Sequence, residues 1–367
     1  MPNLAPFTKP SEMKFLLPLL LLLVAACESP PPPVTAATPV LGPDQPQAYF
    51  RSDSAFYSFQ VPQNNFYDLI GLVYRPEVSA GRSHLQTLYF KTAPDAYVDY
   101  FGDSTGLLLP YPLALDREIR ADEAGRTVVL RPVAPAVPLN YLSLTDSARY
   151  DAAEAASPTF EYSVDVPQGA SDDPALNELI NADMRDHVLG ENASYAGQDD
   201  AGRVRSLFKA ERDSFFQQEL PEDYLSFGPS YSRSTQENGF VRYNADNLLT
   251  LEIITATYAG GAHGMYYSNY YNYRVDPPKR LTLLDYVPAT KHDELSRVLT
   301  DIANTPDTEG VRLSERFYES TDPVPVPDAY NVGVFPDGLL FYFAPYELGP
   351  YAAGSFDIFV PMDRLPK

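Results

Sequence analysis

Histidine and cysteine are the side chains through which a short motif most often indicates catalysis or metal binding. This 367-residue chain contains four histidines and one cysteine. With 49 acidic residues, neighbouring carboxylates arise by chance and do not identify a catalytic pair. The histidines lie too far apart in sequence to bind zinc from one helix, and they are His84, His187, His263 and His292. The sequence therefore predicts no metal site, no cofactor and no assigned catalytic residue.

His263 has the most unusual surroundings of the four histidines. It lies in the link 259–264, which contains Gly260, Gly261 and Gly264 and joins two strand-like runs. Glycine permits left-handed backbone angles, so we expect the link to hold the imidazole at the tip of a tight connection. A histidine there could act as a general base, but catalysis also needs an orienting partner, which the sequence does not show. The interpretation we prefer is a structural imidazole that hydrogen-bonds the neighbouring strands.

Tyrosines are concentrated in the strand-like run that follows this link. They occupy odd and even positions, so they cannot all face the same side of a strand. Tyrosine is common in protein interfaces and stacks on sugars, which makes Tyr266 and Tyr270 candidate ligand contacts. A strand that is buried on both faces would explain the same pattern, and this alternative stays open.

The single cysteine follows a short apolar run near the start of the chain. A basic residue, Lys14, precedes about ten apolar residues, a layout that is typical of a secretory signal and too short to span a bilayer. The motif Val-Ala-Ala-Cys at 24–27 resembles the bacterial lipobox. The resemblance implies that residues 1–27 are a lipoprotein signal peptide and that Cys27 is lipidated, although an ordinary signal peptide with a coincidental cysteine is the alternative.

This lipid anchor would place the protein outside the cytoplasm, attached to the membrane at its periplasmic face or in the outer membrane. Residues 28–47 are rich in proline and predict an extended tether between the anchor and the folded part. The formal net charge of −22 excludes nucleic acid as a partner, because phosphate binding needs a basic face. Acidic residues outnumber basic ones most strongly in residues 149–260, where we prefer a solvated surface over a docking face for a cationic partner.

The hydrophobic pattern divides the folded part into three predicted domains. Residues 48–148 contain short strand-like runs separated by turn residues, which predicts a small β-sandwich or barrel with His84 as a structural histidine. Residues 149–260 and 261–367 combine strands with stretches of helical period, which predicts two α+β domains. The predicted fold class is therefore α+β, with an N-terminal all-β domain followed by a module with a mixed or antiparallel sheet and a few helices.

The two α+β segments also resemble known families. The run FEYSVDVPQ at 160–168 and the glycine link resemble the domain of unknown function 4163, within the predicted domain 149–260. The closing run 343–354, which contains Tyr346 and Tyr351, resembles the domain of unknown function 3298, within 261–367. This pair occurs outside the membrane in the anti-sigma factor RsiV and in the peptidoglycan deacetylase PdaC.

The resemblance implies a cell-envelope lipoprotein that binds an envelope protein or glycan, and it makes a cationic lysozyme-type hydrolase or peptidoglycan a candidate partner. The alternatives are a peptidoglycan hydrolase or modifying enzyme and a structural envelope protein, and we favour a binding module over an enzyme. The residues that carry the resemblance are the candidate binding or structural signature, namely His263, Gly260, Gly261, Gly264, Tyr266, Tyr270, Tyr346 and Tyr351.

Overall fold

A computed structural model describes residues 39–42, 45–62, 68–76, 84–93, 96–99, 107–190, 198–307 and 310–367. Cys27, the predicted signal peptide and most of the predicted tether lie outside the described residues. The last part of the tether segment lies against the following domain, where Leu41 is buried and its amide donates to the carbonyl of Leu113. Within the described chain, no helix combines the length and the apolar character needed to cross a membrane.

In the described part of the chain, the N-terminal segment folds as eight antiparallel strands that close into a barrel. Each strand pairs with the next and the last pairs with the first, so aromatic and aliphatic side chains such as Phe50, Phe59 and Phe90 fill a closed interior. The predicted all-β domain is confirmed as a barrel. The strands are β1 (Gln47–Arg51), β2 (Phe56–Gln60), β3 (Leu69–Tyr74), β4 (Leu85–Ala93), β5 (Ala96–Asp99), β6 (Leu107–Pro110), β7 (Ile119–Glu123) and β8 (Arg126–Pro132).

Beside the barrel, the described residues form a six-stranded mixed sheet in which each strand lies next to its neighbours in sequence. Its strands come from all three predicted domains, and the predicted boundaries after residues 148 and 260 fall within it. The strands are β9 (Leu139–Arg149), β10 (Thr159–Gly169), β11 (Arg233–Ala245), β12 (Leu248–Tyr258), β13 (Met265–Arg274) and β14 (Lys279–Leu281).

Two helices cover one face of this sheet, and they are α1 (Pro174–Leu189) and α2 (Asp200–Phe216). They connect β10 to β11, and this long crossover allows those two strands to pair in parallel while the other neighbours are antiparallel. The predicted helical period is confirmed, because Leu176, Ile180, Met184 and Val188 are all buried against the sheet. The helix is capped by Asp173, whose carboxylate accepts from the amides of Ala175 and Leu176.

The opposite face of the sheet is covered at one end by the barrel and at the other by a small sheet of three strands within the described chain. At this contact, side chains of the large sheet form the hydrogen bonds that a neighbouring strand would otherwise make with the backbone of the small sheet. The Asn272 amide bonds the carbonyl of Val332 and the amide of Val334, each at 2.8 Å, and Thr250 Oγ1 donates to the carbonyl of Val334 at 2.5 Å. The small sheet consists of β15 (Val332–Phe335), β16 (Gly338–Phe343) and β17 (Phe356–Pro361), and the helix α3 (His292–Ala303) packs on it.

A buried ion pair joins the barrel to the large sheet. The pairing register of β11 shifts between Val241 and Tyr243, so the intervening Arg242 is the extra residue of a β-bulge. Its guanidinium binds Glu252 on β12 and donates to Thr87 Oγ1 on barrel strand β4 at 3.0 Å. The side chains of the pair are 7% and 4% exposed, so both charges are desolvated and each depends on the other.

Gln60 of the barrel completes this joint at the bulge. Its Oε1 accepts from the amide of Val241 at 3.0 Å, and its Nε2 donates to the hydroxyl of Tyr141 on β9 at 2.5 Å. The side-chain amide therefore satisfies a backbone donor of β11 that lies beyond Asn238, the last residue of β11 that pairs with β10. Because of such contacts, residues 38–367 form one compact unit.

We predict that Arg242→Met and Glu252→Gln each destabilise the protein by about 3–5 kcal/mol. The first change leaves the buried carboxylate of Glu252 without its cation, and the second leaves the buried guanidinium of Arg242 without its anion. The double variant should lose much less than the sum of the single losses. Urea unfolding of the four proteins measures the coupling free energy. The control is the exposed Lys209–Asp213 pair on α2, for which the same cycle should give less than about 1 kcal/mol. A coupling for Arg242–Glu252 that does not exceed this control would contradict the prediction.

His84 lies where the barrel meets the small sheet. Its ring stacks on Phe359 of β17 with centroids 3.9 Å apart, and Nδ1 lies 2.8 Å from the carbonyl of Arg75, to which it donates. Burial lowers the pKa of His84 from its ordinary 6.5, and the hydrogen bond to the Arg75 carbonyl and the nearby Asp337 carboxylate oppose this only in part. The folded state therefore favours the neutral imidazole.

We predict that this histidine makes the fold weaker in mild acid. The unfolded chain takes up a proton as pH falls through 6.5 and the folded chain does so only at lower pH. The contribution of His84 is therefore complete above that pH and is lost below it. Between about pH 7.5 and about pH 5.5, the wild type should lose more unfolding free energy than His84→Phe, by less than about 1.4 kcal/mol per pH unit. Equal losses in the two proteins would show that His84 does not contribute.

Candidate functional site

The glycine link 259–264 connects β12 to β13 and passes close to the short 3₁₀ segment Tyr224–Tyr231. Gly260 and Gly261 have φ angles of +91° and +90°, which side chains other than glycine rarely adopt. A Cβ on Gly260 would lie 2.6 Å from the carbonyl oxygen of Ser230, and one on Gly264 would lie equally close to that of Thr257. The backbone angle therefore requires glycine at Gly260 and Gly261, and the lack of space requires it at Gly260 and Gly264.

This link presents His263 at the surface of the protein. Its imidazole is exposed and stacks on the ring of Tyr351 with centroids 4.0 Å apart and planes inclined by 19°. Nδ1 lies 2.9 Å from the carbonyl of Gly264, and Nε2 lies 3.4 Å from the hydroxyl of Tyr346. We expected the imidazole to bond the neighbouring strands. It bonds its own link and Tyr346 instead, because the link carries it beyond the strand ends.

Tyr346 has a strained backbone although it lies at the surface. Its φ of +75° is in the left-handed region, which is unusual for an aromatic residue, and its side chain is 48% exposed. The surrounding turn is fixed by Glu347, whose carboxylate accepts from the amide of Ala344 at 2.7 Å. Strain of this kind persists where the surrounding structure enforces it and is concentrated at functional sites. We call His263, Tyr346 and Tyr351 the aromatic platform.

The other predicted tyrosines have different positions. Tyr266 is half-buried, and its hydroxyl lies close to Gly354, 3.5 Å from where a Cβ on that glycine would be. Gly354 directly follows the turn that carries Tyr351. Tyr270 is buried, and it donates to Glu252 at 3.1 Å. The structure thus places Tyr266 at the edge of the aromatic platform and Tyr270 in the interior, beside the Arg242–Glu252 pair.

One polar cluster that the sequence did not predict lies beneath α1. The Nε2 atom of His187 is 3.0 Å from Glu237 and 3.2 Å from the hydroxyl of Thr255, which itself donates to Glu237 at 2.5 Å. Nδ1 lies 2.8 Å from the hydroxyl of Tyr271. A hydroxyl, an imidazole and a carboxylate also occur together in hydrolases, but here the His187 and Glu237 side chains are each only 7% exposed. The cluster lies between helix and sheet, where it joins the two.

No short motif could have shown this cluster, because Glu237 and Thr255 are 50 and 68 residues from His187. Within the part of the chain that the structure describes, no group of three or more His, Cys, Asp or Glu side chains is arranged to hold a metal ion.

Comparisons with known proteins agree with the two resemblances seen in the sequence. Residues 153–266 match the family model described as Deacetylase PdaC, and residues 289–363 match the one described as Protein of unknown function (DUF3298). The predicted recognition is confirmed. His263 and Tyr266 belong to the first match, whereas Tyr346 and Tyr351 belong to the second. The aromatic platform is therefore built from both regions.

Two solved structures are similar to this chain. A DUF3298 family member from Bacteroides fragilis has 22% sequence identity and a TM-score of 0.51, with 62% of this chain and 92% of that chain covered. A DUF3298 family protein from Pseudomonas aeruginosa has 18% identity and a TM-score of 0.41, again with 62% of this chain and 92% of that chain covered. No curated protein matches the chain. The first of these structures supports the fold and says nothing about a ligand.

We predict that the strain at Tyr346 reverses the usual order of alanine and glycine. At ordinary positions glycine is less stable than alanine by about 0.5–1 kcal/mol. At a left-handed position alanine is strained, so Tyr346→Gly should be more stable than Tyr346→Ala by a similar amount. Thermal and urea unfolding of both variants would measure the difference. The control is the same pair of substitutions at Tyr351, which lies in a 3₁₀ turn, where the alanine variant should be the more stable one. A more stable alanine variant at both sites would contradict a strained Tyr346.

Proposed function

We propose that the chain is a binding module of the cell envelope whose contact surface is the aromatic platform. The combination of a PdaC-like region with a DUF3298 region supports a place in the envelope. Its partner in this proposal is a cationic envelope-associated protein of the lysozyme type.

We also propose that a lipidated Cys27 attaches the protein to the membrane surface, which fractionation of a Cys27→Ala variant would test.

The observation that carries the proposal is the exposed, strained Tyr346 beside a stacked histidine and tyrosine. Tyrosine offers a large contact area with few rotatable bonds, and aromatic residues dominate the binding energy of many protein interfaces. The stack on Tyr351 already fixes the imidazole of His263, so little side-chain entropy remains to be lost when a partner binds.

Charge supports a cationic partner. The net charge of −22 creates a negative potential that attracts a basic protein and speeds its association at low salt. Residues 149–260, in which acidic side chains are most abundant, include most of the PdaC-like region and end at the start of its glycine link. The aromatic contacts would then provide the part of the affinity that salt does not screen.

A peptidoglycan-modifying enzyme is the second candidate function, and the description of the matched family as a deacetylase favours it. The buried position of the His187 cluster does not favour it, because a substrate would have to displace α1 to reach the imidazole. Incubation of the purified protein with peptidoglycan, followed by analysis of released fragments and of free amino groups, distinguishes the two. Turnover in this assay would replace the binding proposal with the enzyme.

The experiment that tests the platform is a binding titration with lysozyme at low and moderate salt. We expect Tyr346→Ala and His263→Ala to weaken binding at least about tenfold at moderate salt, as residues at the centre of an interface do. The matched control is Tyr267→Ala. Tyr267 is 42% exposed, close to the exposure of Tyr346, but as the neighbour of Tyr266 on β13 it points to the opposite face of the sheet.

Two results would count against this function. Absence of lysozyme binding at both salt concentrations would remove this partner. Equal binding by the wild type, Tyr346→Ala and His263→Ala would remove the platform as its contact surface. A matching unfolding free energy for each variant and the wild type ensures that lost binding is not lost folding.

A further inference from the structure

A cleft with a volume of about 430 Å³ lies between the barrel and the sheet face that the helices leave uncovered. Its size is within the range of small-ligand sites. Strands β9, β10 and β11 form its floor, and barrel residues, including Gln47, Gln60 and Ile70, form its wall. The cleft is separate from the aromatic platform, none of whose three residues lines it.

The floor is a regular array of polar side chains. Ser163 on β10 is paired with Thr145 on β9 and with Gln236 on β11, and Asp165 is likewise paired with Asn238. Paired residues point to the same side of a sheet, and neighbouring strands are about 4.8 Å apart. Hydroxyl, amide and carboxylate groups therefore recur across the floor at this spacing. The residues between them along β10, such as Val164, are buried against the helices.

This combination of groups fits a sugar. Amides donate and accept hydrogen bonds, and carboxylates accept them, so together they match hydroxyl groups that do both. The half-buried ring of Phe240 and the side chain of Val61 add apolar surface beside the polar floor, as the C–H faces of a sugar require. Among the described residues that line the cleft, none is Lys, Arg or His, and Glu161 and Asp165 add negative charge. These features disfavour a phosphate or any other anionic ligand.

The wall supplies one fixed group and one unsatisfied group. Gln60 is held at both ends, by Val241 and by Tyr141, and it keeps the wall in position. Gln47 accepts from the hydroxyl of Tyr49 at 2.5 Å through Oε1, whereas its buried Nε2 has no hydrogen-bond partner in the described structure. A buried donor without a partner is energetically unfavourable, and a ligand hydroxyl that accepts from it would remove that penalty.

The floor extends beyond the cleft along the same face. Gln236 is paired with Ala256 on β12, and Ala256 is paired with Tyr266 on β13. Tyr266 is thus three strand spacings, or about 14 Å, from Ser163. Because Ala256 is small and half-exposed, this lateral path suits a chain of sugars better than a single ring.

We propose that the cleft between the barrel and β9–β11 binds a neutral oligosaccharide, with Gln236 and Asn238 as its hydrogen-bonding floor. This site is independent of the platform and of the partner proposed there. It gives the protein two contacts of different chemistry, one with an envelope protein and one with a glycan.

Calorimetric titration of the full folded protein with chitotetraose, cellotetraose and maltotetraose tests the proposal, because these neutral sugars differ in their linkage and substituents. We expect at least one to bind, and Gln236→Leu and Asn238→Leu each to weaken it about tenfold or more, as expected when a buried polar contact is lost. Ser163→Val is a smaller change for use if either variant fails to fold. Its matched control is Ser234→Val, since Ser234 is a half-exposed serine on the same face outside the cleft.

Tyr346→Ala should bind the sugar as the wild type does, which separates this site from the platform. Absence of binding by all three sugars at millimolar concentration would overturn the proposal. So would binding that is unchanged in Gln236→Leu, Asn238→Leu and Ser163→Val. The deacetylated, cationic counterpart of chitotetraose is titrated as a fourth probe. Binding of this probe alone, with loss in Glu161→Gln, would show that the carboxylates select a cation and would overturn the assignment to a neutral sugar.

Discussion

The buried pair of Arg242 and Glu252 is the interaction on which the arrangement of this protein depends. It exists because a β-bulge adds Arg242 to β11, so that its guanidinium reaches both Glu252 and the barrel residue Thr87. An ion pair with so little exposure stabilises a fold less than it penalises any arrangement that separates the charges. The pair therefore favours the observed position of the barrel on the sheet, in which Arg242 reaches both Glu252 and Thr87. Gln60 reinforces that position by bonding the backbone at the same bulge.

The large sheet has two faces of different character, and both proposed contacts follow from this difference. One face is apolar and is closed by α1 and α2, with the His187 cluster sealed beneath the first helix. The other face is shared between the barrel and the small sheet, and it stays polar where neither covers it. The cleft is this uncovered polar area. The aromatic platform lies where the link between β12 and β13 meets the turn after β16.

The aromatic platform joins the two family regions within one compact unit. His263 comes from the PdaC-like region, and Tyr346 and Tyr351 come from the DUF3298 region, so neither region contains the stack alone. The stack needs the glycines of the link and the left-handed turn at Tyr346 to bring the rings together. A surface assembled in this way is sensitive to the packing of the two regions. The Arg242–Glu252 pair contributes to that packing through Tyr270, which lies on β13, the strand that follows the link, and donates to Glu252.

The sequence alone predicts the α+β fold class, the N-terminal all-β region, the helical period of the segment that forms α1 and α2, and the family resemblance. All of these depend on local periodicity or on runs of adjacent residues. It also marked His263, Tyr346 and Tyr351, but not their contact, because 83 residues separate His263 from Tyr346. Three features are visible only in the folded protein. Tyr270 is interior while Tyr266 borders the platform, Arg242 meets Glu252 across a bulge, and the uncovered face of the sheet forms a cleft. The physical reason is that alternation along a strand shows which residues share a face, whereas the elements that cover each face are set by long-range packing.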